Sequence, residues 1–182
     1  MKRADGLADE MVKVLLEDAQ GGLWVGSHVA PWGGLTILEN GGARRFTLEN
    51  GLPHTDIAAL YEDRSGAVWV GTGFADQGGL ARFVRRNGVW TIERVLHRSD
   101  GLPGERVRSI FEDRDGTLWL GSELDGLARF RDGHLLRVLT VKDGMPNNEA
   151  ACMLQTPDGA LWLGTPAGVV RINAETLAHI GM

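Results

Sequence analysis

Long hydrophobic runs, basic clusters and paired cysteines are all missing from this chain. No stretch approaches the roughly 18 consecutive apolar residues of a membrane-spanning helix. The opening Met1-Lys2-Arg3-Ala4-Asp5 lacks the apolar core of a signal peptide, so the protein is either cytoplasmic or a piece of a longer exported chain, and the repeats described below favour the second. Lys and Arg number 19 against 24 Asp and Glu, a net charge of −5 with the two signs interspersed. Arg44-Arg45 and Arg85-Arg86 are isolated pairs. The chain therefore lacks the electrostatic footprint of nucleic-acid binding and the basic amphipathic helix of a membrane-surface protein. Cys152 stands alone, which excludes an intrachain disulfide and leaves the compartment open. Proline is scarce at 6 residues, whereas glycine reaches 26, which points to many tight turns between short strands.

What the sequence does have is a repeat. A tryptophan motif recurs as Leu23-Trp24-Val25-Gly26, Val68-Trp69-Val70-Gly71, Leu118-Trp119-Leu120-Gly121 and Leu161-Trp162-Leu163-Gly164. Upstream of each lies Asp5-Gly6-Leu7-Ala8, Asn50-Gly51-Leu52-Pro53, Asp100-Gly101-Leu102-Pro103 or Asp143-Gly144-Met145-Pro146. From that Gly to its Trp the distance is 18 residues every time, while the period between copies runs 45, 50 and 43. A fixed internal spacing with variable gaps means one rigid unit joined by adjustable loops.

Each unit reads as four short strands. Strand a covers 12–16, 57–61, 107–111 and 150–154, apolar or small on both faces, as in a strand buried on both sides. A turn follows, led by Asp18, Asp63, Asp113 or Thr156 and closed by a glycine. Strand b carries the tryptophan. Strand c begins near Gly34, Gly79, Gly126 and Gly168, and the variable strand d covers about 43–48, 89–96, 135–140 and 177–180. Four antiparallel strands in about 45 residues make a β-propeller blade. The fold class is all-β, one propeller segment over 1–182 with blades at about 6–50, 51–100, 101–143 and 144–182.

The consensus D-G-L-P-x-x-x-V-x-x-I-x-E-D-x-x-G-x-L-W-x-G-(S/T)-x-x-G-L-x-R-F resembles the two-component regulator propeller repeat, most closely over Asp100 to Phe130. The first copy has Ala8 in place of proline, and the fourth has Met145 and Thr156. The resemblance implies a non-catalytic sensor propeller in the periplasmic region of hybrid histidine kinases and related regulators. Such a module takes a small-molecule or carbohydrate ligand, needs no cofactor, and passes the signal to a kinase or cyclase output domain. Seven blades, common in that family, would need roughly 315 residues. Four blades therefore suggest part of a larger ring and a fragment of a longer protein. Closure into a small ring, or pairing of two chains into an eight-bladed ring, are the alternatives, and an open arc would self-associate through its free faces.

Topology places the d–a and b–c loops on one face and the Asp turns on the other. Ligand-binding candidates are the off-repeat residues of the loop face: His28, Trp32, His54, Asp56, Phe74, Asp76, Gln77, Arg106, Glu123 and Asp125. Trp32 and Phe74 offer rings for sugar stacking. Trp24, Trp69, Trp119 and Trp162 hold fixed places in the repeat and are read as inter-blade packing. Gly51, Gly101, Gly144, Asp63 and Asp113 are read as turn residues, the two Asp turns having too few carboxylates for calcium. His28 and His54 share a face but have no third ligand at a metal-binding spacing. An enzyme of the lyase or glycosidase kind would rest on the group His28, His54, Asp56 and Asp76. A protein-interaction scaffold is the third reading.

Overall fold

The computed structural model describes residues 2–28, 33–74 and 76–180. Blade 1 comprises β1 (Val12–Glu17), β2 (Leu23–Ser27), β3 (Leu35–Glu39) and β4 (Gly42–Phe46). Blade 2 comprises β5 (Ile57–Glu62), β6 (Val68–Phe74), β7 (Gln77–Arg86) and β8 (Val89–Leu96). Blade 3 is built from β9 (Val107–Glu112), β10 (Leu118–Ser122), β11 (Leu127–Arg131) and β12 (His134–Leu139). The fourth sheet has β13 (Cys152–Gln155), β14 (Leu161–Thr165) and β15 (Gly168–Ile172), followed by the helix α1 (Ala174–His179). Every sheet is an antiparallel meander in chain order. The all-β propeller reading holds.

One element differs. Residues 177–180, read from sequence as a fourth strand d, lie in and just after α1. Ala174-Glu175-Thr176-Leu177-Ala178 is rich in good helix formers, and the Asn173 side chain caps the helix by accepting the Thr176 N–H at 2.7 Å. The helix still does the packing work of a strand d, because Leu177 and Ile180 enter the same apolar cluster as Leu139 and Ile172.

The Asp/Asn-Gly signature closes each d–a loop. The residue before the glycine accepts an N–H from three residues back: Asp5 from Lys2, Asn50 from Thr47, Asp100 from His97 and Asp143 from Thr140. The glycine then turns the chain with φ between 93° and 110°, a region side chains avoid.

The tryptophan does more than pack. Oδ1 of Asp113 accepts the turn N–H groups of Asp115 and Thr117, and its Oδ2 accepts the indole N–H of Trp119 at 2.8 Å. Asp18 with Trp24 and Asp63 with Trp69 repeat this latch, at 2.9 and 2.7 Å. In blade 4 the Thr156 hydroxyl accepts from Trp162 at 3.1 Å. The latched ring then faces the next blade: Trp24 meets Phe83 and Trp90 edge-on, with centroids 5.3 and 4.9 Å away, and Trp69 meets Phe130 at 6.4 Å. Three apolar clusters result, one at each blade junction.

Blade 1 carries a compensated exception. Copies two to four place Pro53, Pro103 or Pro146 after the loop apolar residue, whereas Ala8 leaves a buried N–H there. The fully buried Thr36 hydroxyl accepts it at 2.8 Å, at the position held by Ala81 and Ala128 in blades 2 and 3. Thr36→Ala should cost about 1–3 kcal/mol by orphaning that donor. Adding Ala8→Pro should recover most of the loss in urea unfolding, and a double variant no more stable than the single one would refute the pairing.

Candidate functional site

The loop face forms as topology requires, because its two loop families bond to each other. Gly73 N–H donates to the Asp56 carbonyl, Glu123 N–H to the Arg106 carbonyl, and Gly126 N–H to the Asn148 carbonyl of the next blade. The hairpin of β6 and β7 continues its pairing out to Phe74 and Gln77 at its tip. Gly73 and Gly78 let this tip lie against the d–a loop of blade 3, since a Cβ on either would collide with the backbone of Glu105 or Arg106. Sequence length marks this loop and the 27–33 loop of blade 1 as longer than the other two.

Beside the tip, at the junction of blades 2 and 3, is a hollow of about 210 Å³ lined by Asp76, Arg98, Glu105, Arg106, Leu124 and Asp125. Both of its arginines are paired with carboxylates. Arg98 donates to Asp125 at 2.6 Å, and its backbone N–H donates to Glu105 at 3.1 Å. Glu123 accepts from Arg106 at 2.5 Å and ion-pairs with Arg108 at 2.8 Å. The exposed ring of Phe74 stands on the same hairpin as Asp76.

The histidine group takes a different form. The Asp56 carboxylate, only 2% exposed, receives the ammonium of Lys13 at 2.9 Å. His54 Nδ1 accepts the Asp56 backbone N–H at 2.9 Å, and burial holds the imidazole below the usual histidine range against the opposing pull of Asp56. His28 follows β2, its N–H donating to the Met11 carbonyl, and its own carbonyl and that of Thr55 both lie against Gly33. Asp56 is thus turned toward Lys13, and Asp76 lines the blade 2–blade 3 hollow. Trp32 lies outside the described residues. Among the described residues no group of three His, Cys, Asp or Glu side chains could hold a metal ion.

Lys13, Arg98 and Arg108 were not among the sequence candidates. A signal for two of them exists: Lys13 and Arg108 occupy the same place in strand a, where copies two and four have Ala58 and Ala151. A cation recurring inside an otherwise apolar strand demands a partner, and Asp56 and Glu123 supply it.

The model of the two-component regulator propeller matches residues 6–28, 51–74, 101–123 and 144–167, together just over half of the chain. The chain belongs to that family. No curated protein matches its sequence. Among solved structures, this two-component regulator propeller is similar to the extracellular domain of a hybrid two-component system from B. thetaiotaomicron, with a TM-score of 0.80 and 22% identity over 97% of this chain and 24% of that one. A one-component system's extracellular domain from the same organism gives 0.71 and 19%, over 93% and 22%. The propeller thus spans about a quarter of these chains. A catalytically inactive virginiamycin B lyase from Staphylococcus aureus, solved with quinupristin, gives 0.60 and 17%, over 89% and 55%. At these identities the likenesses establish the shared fold.

Proposed function

We propose that this propeller is a non-catalytic ligand-binding module of an extracytoplasmic sensor region, taking a small uncharged polar molecule such as a carbohydrate fragment. The observation that carries the reading is the hollow between blades 2 and 3. Each of its two arginines is already paired with a carboxylate, so an anionic ligand gains little, whereas hydroxyl groups can both donate to the acids and accept from the arginines. Phe74 adds an exposed ring for the apolar face of a sugar. Support for the sensor setting comes from family membership and from the extracellular domains that share the fold. On this reading the module works in the periplasm, and a kinase or cyclase output of the same regulator reads its occupancy.

Calorimetry of the purified chain against a panel of neutral and charged oligosaccharides tests this. A neutral sugar should bind, with Arg106→Ala and Phe74→Ala each weakening it about tenfold. Both variants should melt close to the parent, because Arg108 still pairs with Glu123 and Phe74 is exposed. Binding only of charged sugars, or affinity indifferent to both substitutions, would count against the site.

A further inference from the structure

A glycine whose backbone conformation any residue can adopt marks a place where the fold needs room. Gly26, Gly71 and Gly121 in strand b are of this kind, their φ lying outside the left-handed region. A Cβ on any of them would collide with Ile57, Val107 or Ala150, the residue that leads into strand a of the next blade. Each is therefore a slot that locks a blade junction. Gly104, in the d–a loop of blade 3, has an equally ordinary φ but admits something else. A Cβ there would stand only 2.6 Å from the carboxylate carbon of Asp125 and closer still to its Oδ2. The space of the missing side chain is taken by an acid.

The repeat shows what this acid replaces. In the other three d–a loops the matching residue closes the loop with its own side chain. Asp9 accepts the N–H of Met11, His54 that of Asp56 and Asn147 that of Glu149, at 2.7 to 2.9 Å. Blade 3 alone has no side chain there. Its b–c loop differs to match: the residue before the strand-c glycine is Gly33, Gly78 and Ala167 in blades 1, 2 and 4, but Asp125 in blade 3. One loop lacks a side chain, the facing loop carries a carboxylate, and the two departures from the repeat meet at the hollow that Asp125 lines.

Asp125 is also held in place. Its Oδ1 accepts from Arg98 at 2.6 Å, and Arg98 is anchored in turn on the Pro103 carbonyl at 2.9 Å. Its Oδ2 accepts from the Ser122 hydroxyl at 3.3 Å, which itself accepts the N–H groups of Leu124 and Asp125. A carboxylate offers about four acceptor positions, and these bonds use two. The side chain keeps 32% exposure, so the remaining capacity is open to a ligand. At about 210 Å³ the hollow is smaller than the roughly 300–1,000 Å³ pockets that enclose drug-sized ligands, which limits its occupant to a single sugar ring.

We propose that Asp125 is the specificity-determining residue of the hollow, accepting one hydroxyl group of a single sugar ring, and that Gly104 gives it the room to do so. This rests on the reading of the hollow as a sugar site, and adds which residue selects the ligand and how much of the ligand is selected.

Calorimetry with glucose, galactose, mannose and xylose, and with the monodeoxy forms of whichever binds, is the test. One monodeoxy form should bind at least about tenfold more weakly than its parent sugar, and that penalty should vanish in Asp125→Ala. A carboxylate with a merely structural role would leave every deoxy penalty as it is. Gly104→Asn, which gives blade 3 the residue of blade 4, should displace the carboxylate and weaken sugar binding about tenfold or more. Its melting temperature should stay close to the parent's, because the new side chain takes up the loop-closing role of Asn147. A protein that binds neutral oligosaccharides but no single-ring sugar, deoxy penalties unchanged in Asp125→Ala, or affinity indifferent to Gly104→Asn would each overturn this role and leave the sugar site standing. A protein that binds no neutral sugar at all would overturn both.

Discussion

Asp113→Ala should lower the stability of the propeller by about 4 kcal/mol, the largest effect expected of any single substitution considered for this chain. Three donors lose their acceptor at once: the N–H groups of Asp115 and Thr117, and the indole of Trp119, which is fully buried between blades 3 and 4. Water can reach the first of these. It cannot reach the indole, and an unsatisfied buried donor alone costs about 1–3 kcal/mol. Asp113→Asn separates the contributions, because a carboxamide has one oxygen where the latch uses two. It can serve the turn or the indole, so its loss should be intermediate. Thermal unfolding should show the alanine variant melting roughly 10 °C below the parent, with the asparagine variant between them. Equal melting of the alanine variant and the parent would mean the tryptophan is held by packing alone.

Lys13→Met should cost about 3 kcal/mol, and the reason is the acid it leaves behind. Asp56 sits at the loop face almost without solvent, and Lys13 is the cation it meets there. Removing one member of a buried pair strands the other, which is far more costly than the pair itself is stabilising. Lys13→Met/Asp56→Asn should therefore be more stable than Lys13→Met, an inversion that additive effects cannot give. Urea unfolding of the four proteins of the cycle measures it. A double variant weaker than both single variants would show that Asp56 is compensated elsewhere.

The fold was legible in the sequence because its strongest constraint is local. Eighteen residues from Gly to Trp span one loop, one strand and one turn, all of which must fit the same frame in every blade. The latch was half legible. Asp18, Asp63, Asp113 and Thr156 each precede their tryptophan by 6 residues, yet turn and ring read separately as a hydrogen-bonding turn and an apolar contact. Helix α1 escaped because Leu177 and Ile180 satisfy the apolar requirement of a strand or a helix, and only the Asn173 cap decides. At the candidate site, loop lengths pointed to Phe74, Asp76 and Gln77, and the hollow does lie beside them. Lys13 could be marked by its recurrence with Arg108, but its partner could not, since the pairing spans 43 residues, from a strand whose pairing with β2 bulges between Val12 and Val14. Arg98 sits in a one-turn helix that looks like a linker until the chain is folded.

The slots also run in one direction. Every glycine slot is filled from the blade that comes later in the chain, never from the one before. On a ribosome delivering the N-terminus first, blade 1 emerges with its sheet complete and its slot at Gly26 vacant until Ile57 is made. Blade 2 then waits for Val107, and blade 3 for Ala150. Each of blades 1 to 3 is finished by its successor, so assembly has a clock built into the order of the residues.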